Sequence, residues 1–367
     1  WGNPAAPGGG LALCFWVPPP WRPGPVPQPP PPRRYLTSKV MPLLAAVAVT
    51  LCVTTELVVW SVMGGFKTML ENTGRALIGD VSISYSHTGF GYYEDLIKRL
   101  QADNMVQAAA PTIESFGLLS MPLGGAPETV ILKGIDGPSF DRVTGYRDSL
   151  WWKPLTTPLP KDTAREDPRL DPKAAQELES FFQQGLVLSA PPAAAPEKGE
   201  MPAVAGGRPA LVVGTEVGGY NTRRVEGFLD TLMAPGDHIP IMLRKPATLS
   251  VLPMDQRGRA LPGEQKTIVI PIVNQFRSGL FEIDANTVFM SLHALQRLLL
   301  MDAAQRADPS AGSGLPVRKV DPATGREYFE APPARTITEP ARVTNVLVRA
   351  KPGVSADTLR ERCREIY

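Results

Sequence analysis

The longest apolar stretch in the chain covers residues 40–63, VMPLLAAVAVTLCVTTELVVWSVM, and carries one charge, Glu56. As a helix it spans roughly 36 Å, enough for a hydrocarbon core of about 30 Å. Pro42 falls in the first turn, where its missing N–H is harmless. Trp60 falls near the far end, where interfacial aromatics gather. Arg22, Arg33, Arg34 and Lys39 precede the run, and no acidic residue occurs before Glu56. After it, Lys67, Glu71, Arg75 and Asp80 alternate in sign. This asymmetry predicts a cytoplasmic N-terminus, with everything after about Met63 outside. A cleaved signal peptide fits less well, because the run is too long and no small-residue cleavage pattern follows Trp60.

Two features of the run set up candidate contacts. At the bilayer centre Glu56 would cost about 3 kcal/mol. In the outer half of the run it escapes by reaching the interface or by pairing with a polar group on another helix. Ala46, Thr50 and Thr54 recur at i, i+4 spacing and make a stripe of small residues that permits close helix approach. Gly64 and Gly65 are expected to interrupt the helix. Phe66, Met69, Leu70 and Leu77 then resume helical spacing and extend it beyond the membrane surface.

Past residue 79 the pattern changes to short alternating runs. Residues 80–85 (DVSISY) read as a strand. Tyr93, Leu96, Ile97 and Leu100 mark an amphipathic helix. Strands are expected within 112–121, 129–134, 211–213, 239–243, 267–273, 287–290 and 343–349. Ser291 is expected to cap a helix over 292–301, and Ser355 or Asp357 one over 355–367. The mixture predicts an α+β domain over 79–367. Polar or Pro-rich stretches near 151–180, 191–210 and 302–340 read as insertions or long loops. Strand-then-helix pairs near both ends suggest one lobe, with a more β-rich second lobe from the middle.

Composition narrows the class. A net charge of +2 and a pI near 8.4 give no footprint for nucleic-acid binding. Proline totals 40, and twelve of these lie in residues 1–32, which read as a disordered low-complexity segment. Residues 33–78 then form the cytoplasmic lead-in and the membrane helix. Cys14, Cys52 and Cys363 are too few for a disulfide framework, and His87, His238 and His293 show no metal-ligand spacing. Neither a P-loop nor a recognised hydrolase motif occurs, so no cofactor and no catalytic residue is assigned. The chain begins without Met and ends at Tyr367 inside a helical pattern, which reads as a fragment or a mis-started reading frame.

Several segments together resemble one transporter family. They are Arg34-Tyr-Leu-Thr-Ser-Lys39 before the apolar run, Ser61-Val-Met-Gly-Gly-Phe66 at its exit, and Gly134-Ile-Asp136. Leu211-Val-Val-Gly-Thr-Glu216 and Gly236-Asp237 follow. The most specific is Phe276-Arg-Ser-Gly-Leu-Phe-Glu-Ile-Asp284 followed by Val288-Phe-Met-Ser-Leu292. The pattern is similar to ABC-transporter permeases of the lipoprotein-releasing (Lol) and macrolide-exporter (MacB) group, over about residues 33–367. It departs from them at Glu56, in the size of the insertions, and in lacking the three membrane helices that follow the extracytoplasmic domain in that family.

The resemblance implies a two-lobed, MacB-like periplasmic domain in the bacterial inner membrane. It implies no enzymatic activity in this chain, because separate ABC ATPase subunits bind ATP and Mg²⁺. It also implies a second permease subunit, membrane lipids as surroundings, and an acylated lipoprotein cargo passed to a periplasmic carrier. Acyl chains carry about 0.8 kcal/mol per buried CH₂, so their extraction needs an outside energy source and an apolar shelter. Val59, Trp60, Met63 and Phe66 are the candidate acyl contacts. Alternative readings are an efflux or FtsX-like mechanotransmission permease without lipoprotein cargo, and a single-pass anchored binding or scaffold protein.

Overall fold

The computed structural model describes residues 40–85, 88–122, 126–155, 169, 171–191, 199, 207–223, 229–234, 237, 239–253, 265–307, 317–320, 327–330 and 336–367. Residues 1–39, with the expected disordered segment and the Arg34–Lys39 motif, lie outside them, as do Cys14, His87, Gly236 and His238. The chain divides into two compact units, Trp1–Lys67 and Thr68–Tyr367.

The first helix, α1 (Val40–Ile78), is 39 residues long and begins in the first unit. It continues through Gly64 and Gly65 without the expected interruption. Each glycine weakens a helix interior by about 1 kcal/mol. The Leu, Val, Met and Ala positions on both sides outweigh that locally. Within α1 the segment Leu43–Thr68 has mean hydropathy 2.1 and none of its window is buried. Among the described residues it is the one helix long and apolar enough to cross a bilayer.

In chain order the second unit then has β1 (Val81–Ser84), β2 (Phe90–Gly91), α2 (Tyr93–Ala102), β3 (Val106–Ser120) and β4 (Glu128–Ile135). Next come α3 (Gly137–Thr144), α4 (Tyr146–Ser149), α5 (Ala175–Val187), β5 (Ser189–Ala190), β6 (Arg208–Pro209) and β7 (Leu211–Gly214). The middle continues with β8 (Asn221–Arg223), β9 (Leu229–Thr231), α6 (Ile241–Arg244), β10 (Pro246–Val251), β11 (Lys266–Phe276), α7 (Phe281–Asn286), β12 (Thr287–Ser291) and α8 (Leu292–Leu298). The last part holds β13 (Ala304–Ala307), β14 (Val317–Val320), β15 (Glu327–Glu330), β16 (Thr336–Glu339), β17 (Arg342–Val343), β18 (Asn345–Ala350) and α9 (Ala356–Ile366). The fold is mixed α+β.

Eight strands form one sheet in the order β1-β18-β3-β10-β11-β7-β12-β4, and β4 also pairs with β3. The last six therefore close into a ring, which leaves no free edge among them. The length of β3 makes this possible. Its first half, to Thr112, pairs with β18, and Gly117–Ser120 pair with β10 on the same edge. Residues 112–119 pair with β4 on the other edge.

The strands β7, β12 and most of β18 are buried on both faces. Leu211 and Val213 of β7 join one cluster with Leu132, Leu249 and Ile270, while Val212 between them joins a second. The second cluster centres on Phe140, Tyr146, Phe276 and Phe289, with ring centroids 4.6–5.7 Å apart. Such double burial explains a near-continuous apolar run where a half-exposed strand would alternate.

Several expectations are corrected. Residues 239–243 are not a strand, because Pro240 leads into the short helix α6. Residues 302–340 contain two antiparallel hairpin pairs, β13 with β16 and β14 with β15. Ser291 makes no side-chain cap on α8, since it is still paired in β12, opposite Ile135. Residues 151–180, read as an insertion, send Trp152, Ala174 and Leu178 into the core. Ser355 caps α9 as expected, accepting from the Thr358 N–H at 3.2 Å.

Candidate functional site

On α1 the eight sequence candidates separate by helical geometry. At about 100° per residue, Val59, Met63 and Phe66 fall within an arc of roughly 60°, with Trp60 and Glu56 on one flank. Ala46, Thr50 and Thr54 fall almost opposite. The helix therefore places Val59, Met63 and Phe66 on one face and Ala46, Thr50 and Thr54 on the opposite one, with Trp60 and Glu56 between them. Val59, Trp60, Met63 and Phe66 are all more than half exposed. This leaves a broad apolar surface of aromatic, sulfur and branched groups, suited to lipid or another helix.

The packing stripe is chemically quiet. Thr50 Oγ1 donates to the Ala46 carbonyl at 2.8 Å, and Thr54 Oγ1 donates to the Thr50 carbonyl at 2.7 Å. Thr55 does the same to Leu51. These hydroxyls are satisfied one turn back, so the stripe presents methyl groups rather than unmet polarity. Glu56 lies off the stripe, on the flank of the other face.

In the second unit, three stretches behind the family resemblance converge, Gly134–Asp136, Leu211–Glu216 and Phe276–Leu292. The Asp284 carboxylate, fully buried, accepts from the backbone N–H of Ser278 at 2.7 Å and of Gly279 at 3.3 Å. Gly279 has φ +91°, a left-handed conformation that favours glycine. Ser278 Oγ in turn accepts from the Leu280 N–H at 3.1 Å. The spacing F-x-S-G-x-x-x-x-D is thus a self-closed loop between β11 and α7.

The neighbouring segments are tied to that loop. Thr215 N–H donates to the Phe276 carbonyl and Glu216 N–H to the Asp284 carbonyl, each at 3.1 Å. Gly214 touches the same stretch so closely that any Cβ there would collide with the Asp284 backbone. Met290 and Ser291 pair with Gly134 and Ile135. Asp136 then caps α3, its carboxylate accepting from the Ser139 N–H at 3.2 Å. Segments spread from Gly134 to Leu292 therefore meet in one hydrogen-bonded neighbourhood.

Asp237 sits apart from this neighbourhood and holds Arg244 at 3.1 Å, with Glu177 at 3.0 Å on the same guanidinium. The hydrogen bond that Arg244 donates to Asp237 raises the Arg244 pKa. The sequence candidates do not include Arg244, because nothing local distinguishes it from other surface cations. Tyr146, whose hydroxyl donates to the Gly185 carbonyl at 3.1 Å, has its pKa pushed well up by burial.

No group of metal-ligating side chains occurs among the described residues. His293 is exposed, as is Cys52, and Cys363 is buried as a thiol. Compared with known proteins, the chain matches no family model and no curated protein.

Proposed function

We propose that the chain is a membrane subunit of an ABC transport complex that drives lipoproteins out of the inner membrane, with ATP hydrolysed by a partner chain. The observation that carries this reading is the convergence just described. Gly134–Asp136, Leu211–Glu216 and Phe276–Leu292, quoted for the permease resemblance and far apart in sequence, come together and support one another's geometry. The apolar helix Leu43–Thr68 supports the anchoring half of the proposal.

In this reading residues 33–39 are cytoplasmic and residues 79–367 periplasmic. The two-lobed division follows β3. One lobe is β1, β18 and the first half of β3 with α2 and α9, and the other is the six-stranded ring. The exposed face bearing Val59, Met63 and Phe66 shelters acyl chains against a second permease subunit. A partner ATPase supplies the work, and a periplasmic carrier receives the cargo.

The test is topology joined to partnership. Alkaline phosphatase fused after Tyr367 is expected to be active, and a fluorescent reporter that folds only in the cytosol is expected to be dark. Affinity purification from native membranes is expected to bring down an ABC ATPase. The reverse reporter result removes the periplasmic assignment. Correct topology with no ATPase leaves the single-pass anchored binding protein as the surviving reading.

A further inference from the structure

A cavity of about 400 Å³ opens beside β11, between α5, α6 and the short β5–β6 pair. Its origin lies in the sequence. Pro246 and Pro271 face each other across β10 and β11, and neither has an N–H to give the ladder. The register of β11 against β7 also shifts between Ile272 and Asn274. The sheet is therefore loosened on this side, and α5 does not close the gap.

The cavity has two chemical halves. Leu243, Ile272 and Val273, all buried, and the half-buried Phe181 make an apolar floor. Arg208, Arg244 and Lys245 line the same space, and among the described residues no carboxylate does. Asp237 and Glu177 hold Arg244 in place but are not part of the lining. Arg208 is fixed by its Nε–H, which donates to the Pro191 carbonyl at 2.8 Å. Lys245 makes no ion pair among the described residues. Arg208 is half-buried beside this floor, where a charge acts more strongly than in bulk water. The size falls within the usual range of ligand pockets, about 300–1,000 Å³.

We propose that this cavity binds an anionic amphiphile, with a phosphate or carboxylate head at Lys245 and Arg208 and a short apolar body on the Leu243–Val273 floor. Neither half alone accounts for the lining. A bare anion leaves the floor wet, and a neutral hydrocarbon leaves the Lys245 ammonium facing it. The inference stands on the cavity and is independent of the transport reading.

The test uses the whole chain in nanodiscs of zwitterionic lipid, titrated calorimetrically with octyl phosphate against empty nanodiscs. Saturable one-to-one binding is expected. Inorganic phosphate and octanol are each expected to bind at least about tenfold more weakly, a difference of about 1.4 kcal/mol. Lys245→Glu reverses an exposed charge and is expected to weaken octyl phosphate at least about tenfold. Val269→Trp fills the cavity from its half-buried wall and is expected to abolish binding. Both variants are first checked for unchanged thermal melting. Arg244 is left intact because it also ties together Asp237 and Glu177.

Dihexanoylphosphatidic acid, added as a competitor, separates the sources. Displacement of octyl phosphate identifies a phospholipid, and failure to displace identifies a single-chain soluble amphiphile. No saturable octyl phosphate binding by the wild-type chain overturns the proposal. So does equal affinity in wild type and both folded variants.

Discussion

Replacing Asp284 by alanine removes the acceptor that closes the loop between β11 and α7. The carboxylate is fully buried and takes two backbone N–H bonds, one short at 2.7 Å and one long at 3.3 Å. A hydrogen bond to a charged acceptor contributes about 1.5–3 kcal/mol, with the longer bond at or below the low end. Truncation also strands the Ser278 and Gly279 amides away from their partner. The expected loss is about 3 kcal/mol. Asp284→Asn keeps one acceptor oxygen and turns an NH₂ toward the other amide, so about half that loss is expected. For a folded unit of this size, 1 kcal/mol moves Tm by about 2 °C, so Asp284→Ala should melt about 6 °C lower. The assay is equilibrium urea unfolding of the chain in nanodiscs, followed by tryptophan fluorescence. Trp152 reports on this region because its Nε1–H donates to Gln275 at 2.9 Å. Limited trypsin digestion is expected to cut faster at Arg277 in the alanine variant. Alanine and wild type within about 0.5 kcal/mol, with equal cutting at Arg277, would refute the reasoning.

Other outcomes follow from single contacts. Gly64→Ala and Gly65→Ala each add a methyl where a Cβ meets nothing within 4 Å. Each is expected to stabilise α1 by about 1 kcal/mol, read as roughly fivefold slower amide exchange over residues 60–68. Tyr146→Phe leaves the Gly185 carbonyl without its donor and is expected to cost about 1 kcal/mol in urea unfolding. Burial holds the Tyr146 phenol neutral, so its folded pKa is raised. That contribution is complete below about pH 10 and is lost as pH rises through the folded value. Absorbance at alkaline pH should show this tyrosine ionising only as the fold opens. The Met105 N–H and then Arg362 lower the pKa of Asp103. Its stabilisation is present above about pH 4 and is lost as pH falls through the folded value. Arg362→Ala is expected to flatten that acid-side slope in part while leaving the Met105 share.

Legibility varied with how local each signal was. The apolar run over 40–63 was readable because a bilayer demands about twenty successive apolar residues whatever follows. Ser355 was readable because a cap needs only its own turn. The first half of β3 was not. Its Ala108, Ala109 and Ala110 carry no strand propensity and are small because helices pack on both faces, α2 on one and α3 on the other. Ring closure was hidden for a similar reason, since β3 meets strands more than 100 residues away. The two faces of α1 were present in the 3.6-residue period. The Arg208–Arg244–Lys245 grouping was not, because only the sheet brings Arg208 beside the other two.

Because β3 is a shared wall, the second unit cannot be cut into exchangeable modules. A graft that replaces the ring strands must carry residues 112–120 with it and so also resets the anchorage of β18. Drift in this domain is thereby channelled into the connecting segments, and the fifteen residues from Val106 to Ser120 must satisfy three neighbours at once.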